Sequence, residues 1–155
     1  MELADILADR AVLCCTDVKT KRQLFEELAE RAAEISGHPA ADILNSITSR
    51  EELGSTGLGN GIAIPHGKIA GLKQVIALFA RLDQPIEYDS VDDQPVDLVV
   101  MLLAPAGAGA DHLKALSRVA RLLRTEAVVD ELRRLDDPER LRAVLTAPFE
   151  TYYAA

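Results

Sequence analysis

Apolar side chains recur every three or four residues in the first part of the chain, which is the spacing of an amphipathic helix. This spacing predicts a helix over residues 19–35 that ends at Gly37, and a second helix that begins at Pro39 and ends near Leu53 and Gly54. The expected buried positions are Leu24, Leu28, Ala32 and Ile35 in the first helix and Ile43, Leu44 and Ile47 in the second.

Short, continuous apolar runs predict the strands of a sheet. Residues 75–82 and 96–103 form the two strongest strand patterns, each bounded by glycine or proline, and residues 11–15 and 62–64 form two weaker ones. Residues 83–97 carry six acidic side chains and no Lys or Arg. We therefore expect a solvated acidic connection between the two strongest strands.

Helical patterns return after residue 107. They predict helices over residues 111–123 and 126–135, and a last helix opened by Asp137 and Pro138. Helices, then strands, then helices around one sheet indicate an α/β fold with three layers in a single domain.

The composition is that of a globular protein with an acidic surface. Of the 155 residues, 48% are hydrophobic and 27% are charged, which excludes an intrinsically disordered chain. Seventeen Lys and Arg against 25 Asp and Glu give a formal net charge of -8. This charge argues against nucleic acid as a partner, because nucleic-acid binding requires a basic surface, and it favours partners with a basic face.

No stretch of the sequence predicts export or insertion into a membrane. Acidic residues stand near the start, where a secretory signal has basic ones, and the longest apolar run, residues 98–107, is too short to span a bilayer. Cys14 and Cys15 are adjacent, which disfavours a disulfide and fits neither a redox pair nor a zinc site. We expect a cytoplasmic protein with two reduced thiols in a buried strand.

A glycine-rich segment, residues 54–61, precedes the run IAIPHGK. It contains part of a dinucleotide-binding fingerprint, but Ile62 stands where the third glycine is required. It also contains part of a phosphate-binding P-loop, but five residues instead of four separate Gly61 from Gly67, and Ile69 replaces the residue that holds magnesium. We therefore predict no nucleotide cofactor and no metal.

His66 is the first candidate for chemistry. It stands between Pro65, which fixes the backbone, and Gly67, which adds no bulk, so its ring would be rigid and open to another macromolecule. Its reference pKa of roughly 6.5 leaves the imidazole mostly neutral near pH 7, with a lone pair that can attack phosphorus. The alternative is a structural or exposed loop histidine, and these residues alone leave both interpretations open.

His112 is the second candidate. At about 100° per residue, it falls in the middle of the apolar face of the helix predicted for residues 111–123. It would point inward from the first turn, where free N–H groups and the helix dipole favour an anion. His112 is either a donor to a phosphoryl oxygen or a core histidine bonded to a backbone carbonyl. The opposite, basic face is expected to be solvated and carries Lys114, Arg118 and Arg121.

Residues 49–68, with the sequence SREELGSTGLGNGIAIPHGK, resemble the signature of the IIA domains of the bacterial phosphoenolpyruvate-dependent phosphotransferase system. The resemblance is to the mannitol/fructose-type class, and it is strongest to its nitrogen-regulatory branch. It continues through residues 94–98 and 111–117. It implies a single IIA type-2 domain over residues 1–155, with a motif-bearing core at about 11–147.

The resemblance implies a mixed sheet flanked by helices and a site of three residues. His66 matches the histidine that accepts a phosphoryl group, on Nε2, from the phosphocarrier HPr or its nitrogen-branch paralogue. His112 matches a second histidine that contacts the phosphoryl group, and Arg50 matches a motif arginine that would support it. Attack by Nε2 requires an acceptor that holds the proton on Nδ1.

The resemblance also implies a relay that regulates target proteins of nitrogen and potassium control through phosphorylation-dependent binding. The alternatives are a sugar-transport component that passes the phosphoryl group to a separate IIB domain, and a protein-binding module with vestigial phosphorylation. Lys114 stands where some nitrogen-branch members have another histidine, which we expect to affect the chemistry little. We also expect an apolar rim around the site for partner docking, formed by Leu58, Ile62 and Ile64.

Overall fold

A computed structural model describes residues 2–147, in which six strands form one mixed sheet flanked by five α-helices. A short 3-10 turn, Leu3–Asp5, precedes the first strand. The strands are β1 (Leu7–Cys15), β2 (Gly57–Gly59), β3 (Ile62–Ala63), β4 (His66–Ile69), β5 (Ile76–Ile86) and β6 (Val96–Pro105). The helices are α1 (Lys21–Ser36), α2 (Ala40–Glu52), α3 (Gly109–Leu122), α4 (Glu126–Arg134) and α5 (Pro138–Leu145).

The central strands β5 and β6 are apolar and buried along most of their length. They pair antiparallel, and β1 pairs parallel with the other side of β5. The short strands β3 and β4 both pair parallel with the remaining side of β6, and β2 pairs antiparallel with β3. Successive residues of a strand point to opposite faces, and consecutive residues of β5 and β6 are buried. Both faces of the sheet are therefore covered, as expected for a sheet between two layers of helices. The predicted three-layer α/β fold is confirmed.

The helix ends follow local sequence signals. The hydroxyl of Thr20 accepts a hydrogen bond from the backbone of Gln23 at the start of α1, and Gly37 ends this helix with a left-handed φ of 79°. Pro39 occupies the position just before α2, and not the first helical position that the sequence predicts. Similarly, α3 begins at Gly109, two residues before its predicted start. The predicted buried faces are confirmed except at Ile35 and Leu44, which are only half-buried.

Two strands near the glycine-rich segment were not predicted. β2 lies within that segment, and β4 pairs with β6 so that His66 stands opposite Leu102. His66 is therefore the first residue of a strand and does not lie in a loop. The apolar pattern misses β4 because this strand has only four residues, including Gly67 and the exposed Lys68.

The predicted acidic connection is shorter and less solvated than expected. β5 continues to Ile86, which pairs with Val96 after a register shift, so residues 83–86 belong to the strand. Tyr88 and Ser90 in the remaining connection are buried, and Tyr88 packs edge-to-face against Phe25 of α1. A segment rich in acidic residues thus contributes an aromatic side chain to the core.

The first strand is longer than predicted and contains both cysteines. β1 begins at Leu7, but residues 8–10 are exposed, so the apolar pattern becomes visible only from Ala11. Cys15 is buried as expected, whereas Cys14 is only half-buried, and both are free thiols.

Candidate functional site

The end of α2 lies against the start of β4. Gly67 permits this close approach, because a Cβ at this position would overlap Ser46 of α2. The hydroxyl of Ser46 donates to the carbonyl of Lys68 at 2.9 Å, which fixes the helix on the strand. Arg50 lies one helical turn after Ser46, on the same side of α2, and its guanidinium reaches His66.

Both ring nitrogens of His66 have hydrogen-bond partners. Nδ1 donates to the carbonyl oxygen of Ile64 at 2.9 Å, and Nε2 accepts from Nε of Arg50 at 3.2 Å. Nη1 of Arg50 donates to the carbonyl of Gly54 at 2.8 Å, so the guanidinium is itself held in place. Since Arg50 can only donate, this arrangement puts the proton on Nδ1 and the lone pair on Nε2.

His112 contacts His66 from the first turn of α3. The two ring centroids are 5.4 Å apart at an interplanar angle of 75°. His112 is only 7% exposed, which confirms that it points inward. Its Nε2 is buried and has no hydrogen-bond partner among residues 2–147. A buried polar atom without a partner is unfavourable, so this nitrogen has hydrogen-bonding capacity that the described part of the protein does not use.

Both imidazoles are in environments that favour the neutral form. Burial lowers the pKa of His66 below its ordinary value, and the charge of Arg50 acts in the same direction against the opposing effects of Ile64 and Glu51. Burial also lowers the pKa of His112, with smaller contributions from His66 and Lys68. Near neutral pH, Nε2 of His66 therefore carries no proton, and its lone pair accepts the hydrogen bond from Arg50.

The site carries positive charge although the protein is acidic. Arg50 and Lys68 are close enough to lower the pKa values of the two histidines. The residue before α3, Ala108, supplies no side-chain cap, although the acidic Asp111 stands in the first turn of this helix. Against a net charge of -8, this is a local environment that suits an anion.

The expected apolar rim of Leu58, Ile62 and Ile64 is not present as predicted. Ile62 and Ile64 are buried in the core, because β3 is an interior strand between β2 and β6, and only Leu58 of the predicted set is exposed. The side chains of Leu53 and Leu113 are 84% and 68% exposed. Leu53 precedes Gly54, which binds Arg50, and Leu113 follows His112, so both are chain neighbours of the site.

A polar network that the sequence does not predict lies next to Arg50 in the fold and is centred on Glu51. The carboxylate of Glu51 accepts hydrogen bonds from Lys21 and Thr56, and the hydroxyl of Tyr88 lies 2.9 Å from that of Thr56. Glu51 and Thr56 lie within the signature segment, but Lys21 comes from α1 and Tyr88 from the acidic connection. The four residues do not follow a recognisable spacing in the sequence, so their contact becomes visible only in the folded structure.

Among residues 2–147, no three His, Cys, Asp or Glu side chains are grouped so that they could hold a metal ion. Within the same part of the chain, no helix has the length and hydrophobicity needed to cross a membrane.

The chain is similar to known proteins over most of its length. It is 48% identical to a nitrogen regulatory protein of Bradyrhizobium diazoefficiens, over 96% of this chain and 97% of that one. The crystal structure of nitrogen regulatory protein IIA-Ntr from Neisseria meningitidis matches with a TM-score of 0.87 and 37% identity, over 93% and 99% of the two chains. A fructose-specific EIIA component of Haloferax volcanii is 36% identical over 80% of this chain and 79% of that one.

A family model gives the same assignment. The model described as phosphoenolpyruvate-dependent sugar phosphotransferase system, EIIA 2, matches residues 5–147. This match includes Arg50, His66 and His112. The chain therefore belongs to the EIIA 2 family of the phosphotransferase system.

Proposed function

We propose that this protein is a phosphohistidine relay with a regulatory role. It accepts a phosphoryl group from an HPr-like phosphocarrier on Nε2 of His66, and it signals through phosphorylation-dependent binding to target proteins of nitrogen and potassium regulation. The observation that carries the proposal is the hydrogen bond from Nδ1 of His66 to Ile64, which leaves the lone pair on Nε2. The nitrogen regulatory relatives support the regulatory part.

The transfer is a displacement at phosphorus. The Nε2 lone pair of His66 forms the new N–P bond while the bond between phosphorus and the carrier's histidine breaks, and the carrier's nitrogen keeps the bonding pair. No proton has to leave His66 before attack, because Nε2 is already unprotonated. Catalysis then depends on alignment and on stabilising charge on the transferring oxygens.

Arg50 has two successive roles in this scheme. In the resting site its Nε–H occupies the lone pair that must attack, so Arg50 has to release Nε2 first. Its guanidinium, still next to the ring, can then donate to the oxygens of the incoming phosphoryl group. His112 supplies the second donor, because its buried Nε2 lacks a partner and can carry a proton towards the same oxygens.

A second candidate function is sugar transport, in which the phosphoryl group passes from His66 to a separate IIB domain. The similarity to a fructose-specific EIIA component favours this alternative, and the same His66 chemistry serves both functions. Transfer to a IIB domain in vitro would distinguish transport from regulation.

The proposal is tested by reconstitution with phosphoenolpyruvate, the first enzyme of the system and an HPr-like carrier. We expect intact-mass analysis to show one added phosphoryl group, labile to acid and stable to base, as a phosphoramidate is. His38→Ala is the matched control, because His38 lies outside the site. An unmodified mass in the complete system would contradict the relay and leave a binding module with vestigial phosphorylation.

A further inference from the structure

The polar network behind Arg50 is centred on the carboxylate of Glu51. Nζ of Lys21 donates to Oε2 at 3.0 Å, and the backbone N–H of Thr56 donates to the same oxygen at 3.1 Å. The hydroxyl of Thr56 donates to Oε1, and it also lies 2.9 Å from the hydroxyl of Tyr88. The Glu51 side chain is only 6% exposed, so these bonds lie mostly out of water, where an unpaired charge would be costly.

The network connects to the Nδ1 side of His66 through the backbone of Thr56. The carbonyl of Thr56 accepts a hydrogen bond from the N–H of Ile64 at 3.1 Å. The carbonyl of Ile64 in turn accepts from Nδ1 of His66. Thr56 therefore holds the residue whose carbonyl fixes the tautomer of His66, through the N–H of that residue.

The network also connects to the Nε2 side of His66. Two bonds from Thr56 to the Glu51 carboxylate close the loop of residues 53–55 on the end of α2. Within this loop, the carbonyl of Gly54 accepts from Nη1 of Arg50, whose Nε binds His66. The shape of the closed loop thus determines where the guanidinium lies.

We propose that Thr56, held by Glu51, Lys21 and Tyr88, is a positioning residue that sets the hydrogen bonds of both ring nitrogens of His66. This inference rests on the proposed function of His66 and adds four residues behind the site that do not touch the phosphoryl group. Their contribution is the alignment of His66 and Arg50 before the carrier arrives.

The charge state of the network fits this role. Burial acts to raise the pKa of Glu51, but the hydrogen bonds from Thr56 and Lys21 outweigh it and hold the pKa below its ordinary value. Burial raises the pKa of Tyr88, so its phenol keeps its proton near neutral pH. Lys21 also lies 4.4 Å from the centre of the Tyr88 ring, a cation–π contact that fixes both side chains. The network is therefore held in one charge state.

Thr56→Val tests the proposal, because valine keeps the shape and backbone of threonine and loses only the hydroxyl. Thr146→Val is the matched control, since the hydroxyl of Thr146 bonds the carbonyl of Arg142 within α5. We expect Thr56→Val to slow phosphoryl acceptance by about tenfold to a hundredfold, the size of a small misplacement in a positioned site, while Thr146→Val keeps the unmodified rate. Thermal melts show whether each variant is folded.

Titration of His66 by nuclear magnetic resonance separates positioning from stability. Arg50 lowers the pKa of His66, so loss of the Arg50 contact in Thr56→Val should raise this pKa towards the ordinary value. Neither threonine nor valine is charged, so a changed pKa of His66 in a variant that melts like the unmodified protein reports a changed environment of the ring and not the charge of the new side chain. If Thr56→Val does not fold, the same rate and titration are measured on Tyr88→Phe, which removes the hydroxyl next to that of Thr56.

The two proposals fail in different ways. If the unmodified protein takes up no phosphoryl group, the relay is wrong, and the His66 titration of the variants still decides the positioning role. If the unmodified protein is phosphorylated, and folded Thr56→Val shows the same rate and the same His66 pKa, the positioning role of Thr56 is overturned.

Discussion

His66 at the start of β4 and His112 in the first turn of α3 are in ring contact, yet their hydrogen bonding differs. His66 has a partner on each ring nitrogen, whereas Nε2 of the buried His112 has none among residues 2–147. A fully bonded histidine is fixed in one tautomer and one orientation, as a nucleophile must be. A buried donor or acceptor without a partner costs about 1–3 kcal/mol.

This difference fits the complementary roles that we propose for the two histidines. His66, the proposed nucleophile, is positioned by hydrogen bonds to the backbone of Ile64 and to Arg50. Nε2 of His112 has no partner among residues 2–147, so in the proposed reaction its hydrogen bond would form only when the phosphoryl group is present. Interactions of this kind accelerate the chemical step.

The largest effect is expected from His66→Ala. This variant removes the only described histidine with the bonding of a nucleophile, so it should take up no phosphoryl group in the reconstituted system. Intact-mass analysis measures the result, with His38→Ala as the control that should be phosphorylated normally. If His66→Ala were fully phosphorylated, the acceptor would be another residue, and the proposed difference in role between His66 and His112 would be wrong.

Replacement of His112 should slow phosphorylation without abolishing it. By analogy with the loss of one donor to a transition-state oxyanion, we expect His112→Gln to be slower by roughly tenfold to a thousandfold. The measurement is the initial rate of phosphoryl uptake, with thermal melts to confirm folding. A rate equal to that of the unmodified protein in a folded variant would show that His112 is only a packed side chain.

His112→Leu sharpens the same prediction through stability. Leucine removes the unpartnered nitrogen, so its melting temperature should equal or exceed that of the unmodified protein while its rate decreases as in His112→Gln. A clear loss of stability in His112→Leu would indicate that the imidazole contributes to packing and would weaken the assignment of a free nitrogen.

A smaller effect is expected on partner binding. Phosphorylation adds about -1.5 to -2 charges at His66, and the exposed side chains of Leu53 and Leu113 belong to chain neighbours of Gly54 and His112. A partner that covers these leucines must then desolvate a dianion, so regulatory partners should bind the unphosphorylated form at least tenfold more tightly, or about 1.4 kcal/mol.

Titration of one captured target with unmodified, phosphorylated and His66→Ala protein measures this switch. Leu53→Ser should weaken binding, whereas Val91→Ser, at a similarly exposed position that does not adjoin a site residue, is the control. Equal affinities for all three forms would contradict regulation by phosphorylation and leave a relay alone.

The fold could be predicted from the sequence, and so could the three residues that the structure brings together at the candidate site, but their different hydrogen bonding could not. Long apolar runs define β5 and β6, and Gly37 marks the end of α1, because these signals are local. β4 was missed because its four residues become a strand only by pairing with β6. Tyr88 was missed because its partner Thr56 lies 32 positions away in the chain.

The smallest effect concerns the pH dependence of stability. In the folded protein, both histidines have a pKa below the ordinary value of 6.5. As the pH falls through 6.5, the unfolded chain therefore binds protons that the folded protein does not, and the free energy of unfolding decreases. The contribution of the two neutral histidines to the free energy of unfolding is complete above pH 6.5, and it is lost as the pH falls towards their lowered pKa values.

The dependence of melting temperature on pH, with and without inorganic phosphate, tests whether both imidazoles are kept neutral. Thermal melts between pH 5 and 8 avoid the lower range in which Glu51, with its own lowered pKa, takes up a proton. We expect His66→Gln and His112→Gln each to reduce the slope of melting temperature against pH, and the double variant to reduce it most. Because an anion favours protonated imidazoles, added inorganic phosphate should reduce the slope in the unmodified protein and much less in the double variant. A slope that is the same in all four proteins would show that neither imidazole is kept neutral by its surroundings, and the contrast in their bonding would then have no electrostatic consequence.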